Sequence, residues 1–153
     1  MRLVVAAILL TFVIPITPSK AAKPLPPEVQ SVINEAIKSC DEKVKFEKGY
    51  VTRRDINGDR IEDFILDYSH FICGESSTSY CGSAGCLTQV FASLSDGKFA
   101  KVLDENVRAI EFKTARGRPA MLLGLHGSSC GRAGAEPCSA MLYWNGETFS
   151  PAN

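Results

Sequence analysis

The sequence predicts an α+β fold: one N-terminal helix packed on a mostly antiparallel β-sheet and stapled by disulfides. Three observations predict it. An apolar stripe at helical spacing runs from Val29 to Cys40, and no long helical pattern follows Asp41. Beyond that point the chain breaks into short β-rich runs punctuated by Asp-Gly and Asn-Gly turns. Six cysteines, an even number, all fall outside the first 21 residues.

In chain order, Met1–Ala21 has the form of a secretory signal peptide. Arg2 supplies the positive start, "LVVAAILLTFVI" the apolar core, and Ser19-Lys20-Ala21 the small residues of a cleavage site. The apolar run stops short of the roughly 20 residues that a membrane span needs, so cleavage is expected rather than anchoring. Residues 22–27 form a Pro-rich lead-in, and 28–153 a single domain of a size that carries one core. Lys and Arg together number 17 and Asp and Glu 17; losing Arg2 and Lys20 with the leader leaves a slight acidic excess. No basic cluster stands out, which argues against a nucleic-acid or anionic-membrane partner. The expected location is periplasmic or extracellular, in a bacterial source.

The helix is read from Val29, Val32, Ile33, Ala36, Ile37 and Cys40, spaced i, i+3, i+4, i+7, i+8 and i+11, with Pro26 and Pro27 suited to its start. Cys40 is thereby expected to face the sheet. "KVKFEKGYVTRR" alternates in part, through Val44, Phe46, Tyr50 and Thr52, and "DFILDY" is a compact β-rich run. "LTQVFASL" and "FAKVL" flank Ser95-Asp96-Gly97-Lys98 as a hairpin. "NVRAIEF" and "PAMLLGLHG" flank "ARGRP", and "AMLYW" and "ETFSP" flank Asn145-Gly146.

Cys40, Cys73, Cys81, Cys86, Cys130 and Cys138 read as a disulfide framework, because CxxC spacing of the zinc or redox kind is absent. Six cysteines allow fifteen pairings, and spacing alone does not choose among them. One regularity bears on the choice. Cys81–Phe99 and Cys130–Phe149 share an order: Cys-Gly-x-Ala-Gly, Cys, strand, Asp/Asn-Gly, Phe. Each follows an apolar strand, as two β-units of about 45 residues would. Equivalence of the two units suggests Cys81 with Cys86 and Cys130 with Cys138, leaving Cys40 for Cys73.

The candidate site is "RRDINGDRIEDFILDY". A hard cation such as Ca²⁺ takes several oxygen ligands, and a tight loop delivers them from alternate residues. Asp55, Asn57 and Asp59 stand at loop positions 1, 3 and 5, the Ile61 carbonyl at 7 and Asp63 at 9; Leu66 at position 12 excludes an EF-hand. The bland alternative is a solvated Asx turn ahead of a strand. Asp55–Asp63, the strand after it, "QVFASL", Asp-Gly and Phe99 together resemble a single FG-GAP/VCBS-type repeat, whose loops run D-x-[DN]-G-D-x-x-x-D. That resemblance implies a calcium ion at Asp55, Asn57, Asp59 and Asp63, in a structural role. Arg60 stands where such loops usually have glycine, and the chain is too short for the many-bladed propeller such repeats build.

Catalytic patterns are sparse. His126 lies beside Ser128 and Ser129, but no G-x-S-x-G elbow surrounds them. His70 follows Asp67-Tyr68-Ser69 and could sit near the acidic loop. Tyr143 and Trp144 before Asn145-Gly146 are either a binding platform or cross-strand packing. The Gly/Ser-rich loops "CGESSTSYCGSAGC" and "HGSSCGRAGAEPC", the second carrying Arg132 and Glu136, are the better recognition surface. The expected function is an exported, disulfide-stabilised binding protein for a protein or glycan of the cell envelope. The alternatives are a small secreted hydrolase using His126 and an inhibitor or immunity-type protein for a cell-envelope enzyme.

Overall fold

Helix α1 spans Pro27–Lys38. Pro27 occupies the first helical position, where its missing N–H is no loss, and the Gln30 amide bonds to the Pro26 carbonyl at 2.9 Å to close the first turn. The computed structural model describes residues 23–75 and 79–152; the signal peptide expected over Met1–Ala21 lies outside the described residues. The helix thus starts at the Pro26–Pro27 pair suited to it and takes in the last residue of the Pro-rich lead-in. Val29, Ile33 and Ala36 are buried, whereas Ile37, at 38 % exposure, ends at the rim of the stripe. Ser39 stops the helix, its hydroxyl turned back to the Ala36 carbonyl at 2.9 Å and touching the Tyr80 hydroxyl at 2.8 Å.

Eleven strands follow among the described residues, in three antiparallel sheets instead of the one expected. "KVKFEKGYVTRR" is two strands, β1 (Val44–Phe46) and β2 (Val51–Arg54), because Gly49 turns the chain at φ 112° and breaks the alternation. Then come β3 (Asp63–Asp67), β4 (Phe71–Cys73), β5 (Cys81–Gly82), β6 (Gly85–Ser93), β7 (Phe99–Val107), β8 (Ala109–Ala115), β9 (Arg118–Leu125), β10 (Cys138–Trp144) and β11 (Phe149–Pro151). β1 and β4 form a two-stranded ribbon. β2, β3, β6 and β7 form the central sheet, which β5 extends along β6, and β8, β9, β10 and β11 form the second sheet.

The two larger sheets repeat one arrangement. In each, four strands run antiparallel in the same spatial order, and the second strand ends in a 3₁₀ turn, Tyr68–His70 after β3 and Gly127–Cys130 after β9. In each, a disulfide-bounded loop leads to the third strand, and a tight Gly turn joins the third to the fourth. The disulfides are Cys40–Cys73, Cys81–Cys86 and Cys130–Cys138, the set suggested by equivalence of the two units. No cysteine is free.

Packing explains why β3 and β6 are apolar on both faces. Phe64, Leu66 and Phe91 point to one side, where Val29 and Ile33 of the helix cover them together with Tyr68 and Phe71. Ile65 and Val90 point to the other side and meet Met121 and Leu123 of β9 and Phe149 of β11. The central sheet is therefore the middle layer between helix and second sheet, and each large apolar side chain removed from water contributes roughly 1.5–3 kcal/mol. Cys40 packs against the first cluster, and its bond to Cys73 fastens the end of the helix to β4.

Candidate functional site

The strands run between two poles. β6 leaves the Cys81–Cys86 hairpin and arrives at the Asp-Gly turn; β10 leaves Cys138 and arrives at the Asn-Gly turn. The acidic loop between β2 and β3 lies at the turn pole, and both disulfide-bounded loops lie at the other.

Within the acidic loop the four predicted side chains are knitted to backbone amides. Asp55 accepts from the Gly58 N–H at 2.7 Å and the Arg60 N–H at 2.9 Å. The Asn57 Oδ1 accepts from Asp59 N–H at 3.1 Å, and the Asp59 Oδ1 from Ile61 N–H at 2.7 Å. These are Asx turns laid end to end, the local preference of Asp and Asn. Gly58 and Arg60 both take left-handed backbone, at φ 85° and 70°. Arg60 thus adopts the conformation that glycine would favour, and its amide bond to Asp55 helps hold it there. Ile61 is 47 % exposed at the tip.

Asp63, fully buried, anchors this loop to the central sheet. Its Oδ2 accepts from Ile56 N–H at 2.7 Å, and its Oδ1 from the Ser93 N–H at 2.8 Å. The Ser93 hydroxyl is 2.7 Å from Asp63 Oδ1 and also 2.7 Å from Asp59 Oδ2. Asn57, 7 % exposed, donates from Nδ2 to the Ser93 carbonyl at 2.9 Å. Ser93 carries the whole junction and was invisible to sequence reasoning; its only signal is a polar residue closing the inward run of β6. Burial pushes the Asp63 carboxyl above the usual range, opposed by the Ser93 and Ile56 donors. The hydroxyl of Ser93 has one proton for two carboxylate oxygens, so the second short contact calls for a further proton or a nearby cation.

The donor set consists of carboxylates, one amide oxygen and one carbonyl, the ligand types of a hard cation. Each carboxylate keeps lone pairs beyond those engaged here. Among the described residues, however, no three His, Cys, Asp or Glu side chains are gathered as a group able to hold a metal ion. Asp55 faces the loop's own amides, whereas Asp59 and Asp63 converge on the Ser93 hydroxyl.

The other pole is built around Arg108, between β7 and β8. Its guanidinium donates to the Ser83 carbonyl at 2.8 and 3.1 Å and to the Gly134 carbonyl at 2.9 Å. Ser83 belongs to the Cys81–Cys86 hairpin and Gly134 to the Cys130–Cys138 loop, so one side chain ties the two loops together. Arg132 braces the second loop from within, donating to the Pro137 carbonyl at 3.0 Å. A cleft of about 510 Å³ opens beside Arg108, bordered by Asp67, Ser69, Ser83, Thr88 and Ile110.

His126 and Ser128 are in contact, Nδ1 to Oγ at 2.7 Å, and Nδ1 also accepts from the Ser128 amide at 3.4 Å. This caps the 3₁₀ turn after β9. Asp67 caps the equivalent turn after β3 by accepting from Ser69 N–H at 2.9 Å. The other imidazole nitrogen faces Gly134, where a Cβ would come within 2.3 Å. His70 lies past the far end of β3 from the acidic loop, near Asp67 at 4.0 Å, so it is not part of that site. Trp144 packs on Phe149 with ring centroids 5.1 Å apart, as cross-strand packing requires.

Three disulfides without a free thiol fit an oxidising compartment, and among the described residues no helix is long and apolar enough to cross a membrane. Compared with known proteins, the chain matches no family model, no curated protein and no solved structure.

Proposed function

We propose that this is an exported binding protein of the periplasm or extracellular space, recognising a protein or glycan partner of the cell envelope through its disulfide-bounded loop pole. The observation that carries the reading is the Arg108 clamp, which joins two cross-linked, Gly-rich loops into one surface. Rigid loops bind with less ordering entropy lost than mobile ones. An inhibitor-type role, in which the same pole fills the cleft of an envelope enzyme, uses the same geometry.

The acidic loop is assigned to a structural calcium ion held by Asp55, Asn57, Asp59, Asp63 and the Ile61 carbonyl, in the manner of an FG-GAP/VCBS-type repeat. Its support is the oxygen donor set, the left-handed Arg60 and the two carboxylates that share one hydroxyl. The ion would supply positive charge at that junction and no chemistry. His126 with Ser128 supports a hydrolase reading less well, since His126 is engaged as a cap.

The test is site-specific photo-crosslinking on envelope extract, with the cross-linker at Ser129 or at Asp96. A partner captured from Ser129 alone, and lost when residues 131–136 are replaced by a Gly-Ser loop, supports loop-pole binding. Equal capture from both poles overturns it. A hydrolytic activity abolished by His126→Ala in folded protein would establish the enzyme reading instead.

A further inference from the structure

The second sheet ends on β8, which pairs with β9 on one side and, among the described residues, with no strand on the other. None of its seven residues is buried. The turn into β9 fixes which backbone groups stand free. Arg116 and Gly117, at φ 52° and 72°, form a two-residue turn of the hairpin type, so Ala115 and Arg118 make the first hydrogen-bonded pair. Bonding then alternates along the ladder. Ala115, Lys113 and Glu111 commit their amides and carbonyls to β9, whereas Thr114, Phe112 and Ile110 turn theirs to the open side. Arg54 of β2 agrees with that direction: its guanidinium donates to the Phe112 carbonyl at 3.3 Å and leaves that oxygen a second lone pair.

The other outer strands of the two larger sheets are poorer templates. β11 has three residues and ends in Pro151, β2 has four, and β7 carries an extra residue, Val102, where its register with β6 shifts. β8 keeps one register with β9 along its whole length. Its charges are also arranged about a centre. Ile110 and Phe112 pack on the core, and Glu111 and Lys113 stand on the outer face on either side of Phe112, 3.3 Å apart. An antiparallel copy of β8 centred on Phe112 sets Phe112 against Phe112, Ile110 against Thr114 and Glu111 against Lys113. The free backbone groups of both copies then find partners, and opposite charges meet across the strands. Sliding one copy by two residues sets Glu111 against Glu111 or Lys113 against Lys113, so charge selects the centred register.

From this arrangement we infer that the open edge of β8 docks a second copy of this chain, joining the two second sheets into one antiparallel sheet about a twofold axis at Phe112. The unpaired amides and carbonyls select an extended strand as the occupant. The charge order about Phe112 selects β8 itself as that strand. The inference goes beyond loop-pole binding and does not depend on it.

The experiment is sedimentation velocity of the full mature chain over a concentration series from micromolar to millimolar. The wild type is expected to pass from monomer to dimer. Glu111→Lys and Lys113→Glu each set like charges opposite one another and should raise the dimer dissociation constant roughly tenfold or more. The double reversal restores opposite pairs and should restore the wild-type constant. Thr114→Pro removes a free-edge donor without touching the β9 ladder, and should abolish the dimer. Urea midpoints at micromolar concentration check that each monomer stays folded; the charge variants lose only a surface ion pair. A monomer throughout the series overturns the proposal, in favour of a foreign strand if an extended Val/Thr-rich peptide binds the wild type and not Thr114→Pro. A dimer that survives both single reversals, or that the double reversal fails to restore, also overturns it, because another surface then joins the copies.

Discussion

Asp63 and Ser93, 30 residues apart, meet through two contacts on one oxygen: the Ser93 amide at 2.8 Å and the Ser93 hydroxyl at 2.7 Å from Asp63 Oδ1. This pair, and not the loop's own turns, fixes the acidic loop to the central sheet. Asp63→Ala would leave the buried amides of Ile56 and Ser93 without acceptors and is expected to cost about 3 kcal/mol or more. Ser93→Ala keeps its amide bond and should cost about 1–2 kcal/mol. Urea unfolding of both variants and of the double variant checks this; strictly additive losses would mean that the two residues do not act together.

The buried Asp63 carboxyl also sets a pH dependence. Burial raises its proton affinity above that of the unfolded chain. Its contribution to stability is therefore full below the ordinary aspartate range near about 4, and is lost as pH rises through the raised folded value. Asp63→Asn cannot titrate. The stability of the wild type relative to this variant is expected to fall between acidic and neutral pH, measured by urea titrations at several pH values. A rise with pH would mean that the three donors on the carboxylate outweigh its burial.

Calcium, if held by the loop, stabilises the folded chain by mass action. At a hundredfold excess over its dissociation constant the gain is about 2.7 kcal/mol, on the order of 10 °C in melting temperature for a domain of this size. Scanning calorimetry with Ca²⁺ or EDTA measures it, and Asp59→Ala should abolish the shift. An unchanged melting temperature in the wild type removes calcium from the loop.

The disulfides should differ in weight. Cys40–Cys73 closes 33 residues, against 5 for Cys81–Cys86 and 8 for Cys130–Cys138. Loop-closure entropy then assigns about 3.7 kcal/mol to the first and roughly 2–2.5 kcal/mol to each of the others. Paired Cys→Ser variants compared by denaturant midpoint should show Cys40/Cys73 as the most damaged. Equal losses would mean that native contacts, not chain closure, carry these cross-links.

Arg60 poses a contest between two backbone effects. Left-handed backbone costs a non-glycine residue about 1–2 kcal/mol, while glycine adds about 0.5–1 kcal/mol of unfolded-chain entropy. Arg60→Gly is therefore expected to stabilise by about 0.5–1 kcal/mol, read as a higher urea midpoint. A loss would show that the Arg60 side chain contributes a contact beyond its backbone bond to Asp55.

Much of this architecture was legible from local patterns. The stripe from Val29 to Ala36 needs only helical geometry to find its face, and Asp96-Gly97 and Asn145-Gly146 need only turn chemistry to close their hairpins. The unit order shared by Cys81–Phe99 and Cys130–Phe149 suggested the pairing that the disulfides adopt. The acidic loop lay where its residues placed it, each Asp and Asn bonding within a few positions of itself.

What the sequence determined by itself are the interactions that depend on near neighbours: helix, hairpins, Asx turns and an oxidising environment. What only the tertiary structure decided are those that join distant segments. The separation of the β1–β4 ribbon from the central sheet depends on Gly49 breaking a run that alternates on paper. Ser93 under the acidic loop, Arg108 across the two disulfide loops, and Arg116 and Arg118 on Tyr143 join residues brought together by strand pairing. Register between strands is set by burial on both faces of the central sheet, a property of the whole packing that no single segment encodes.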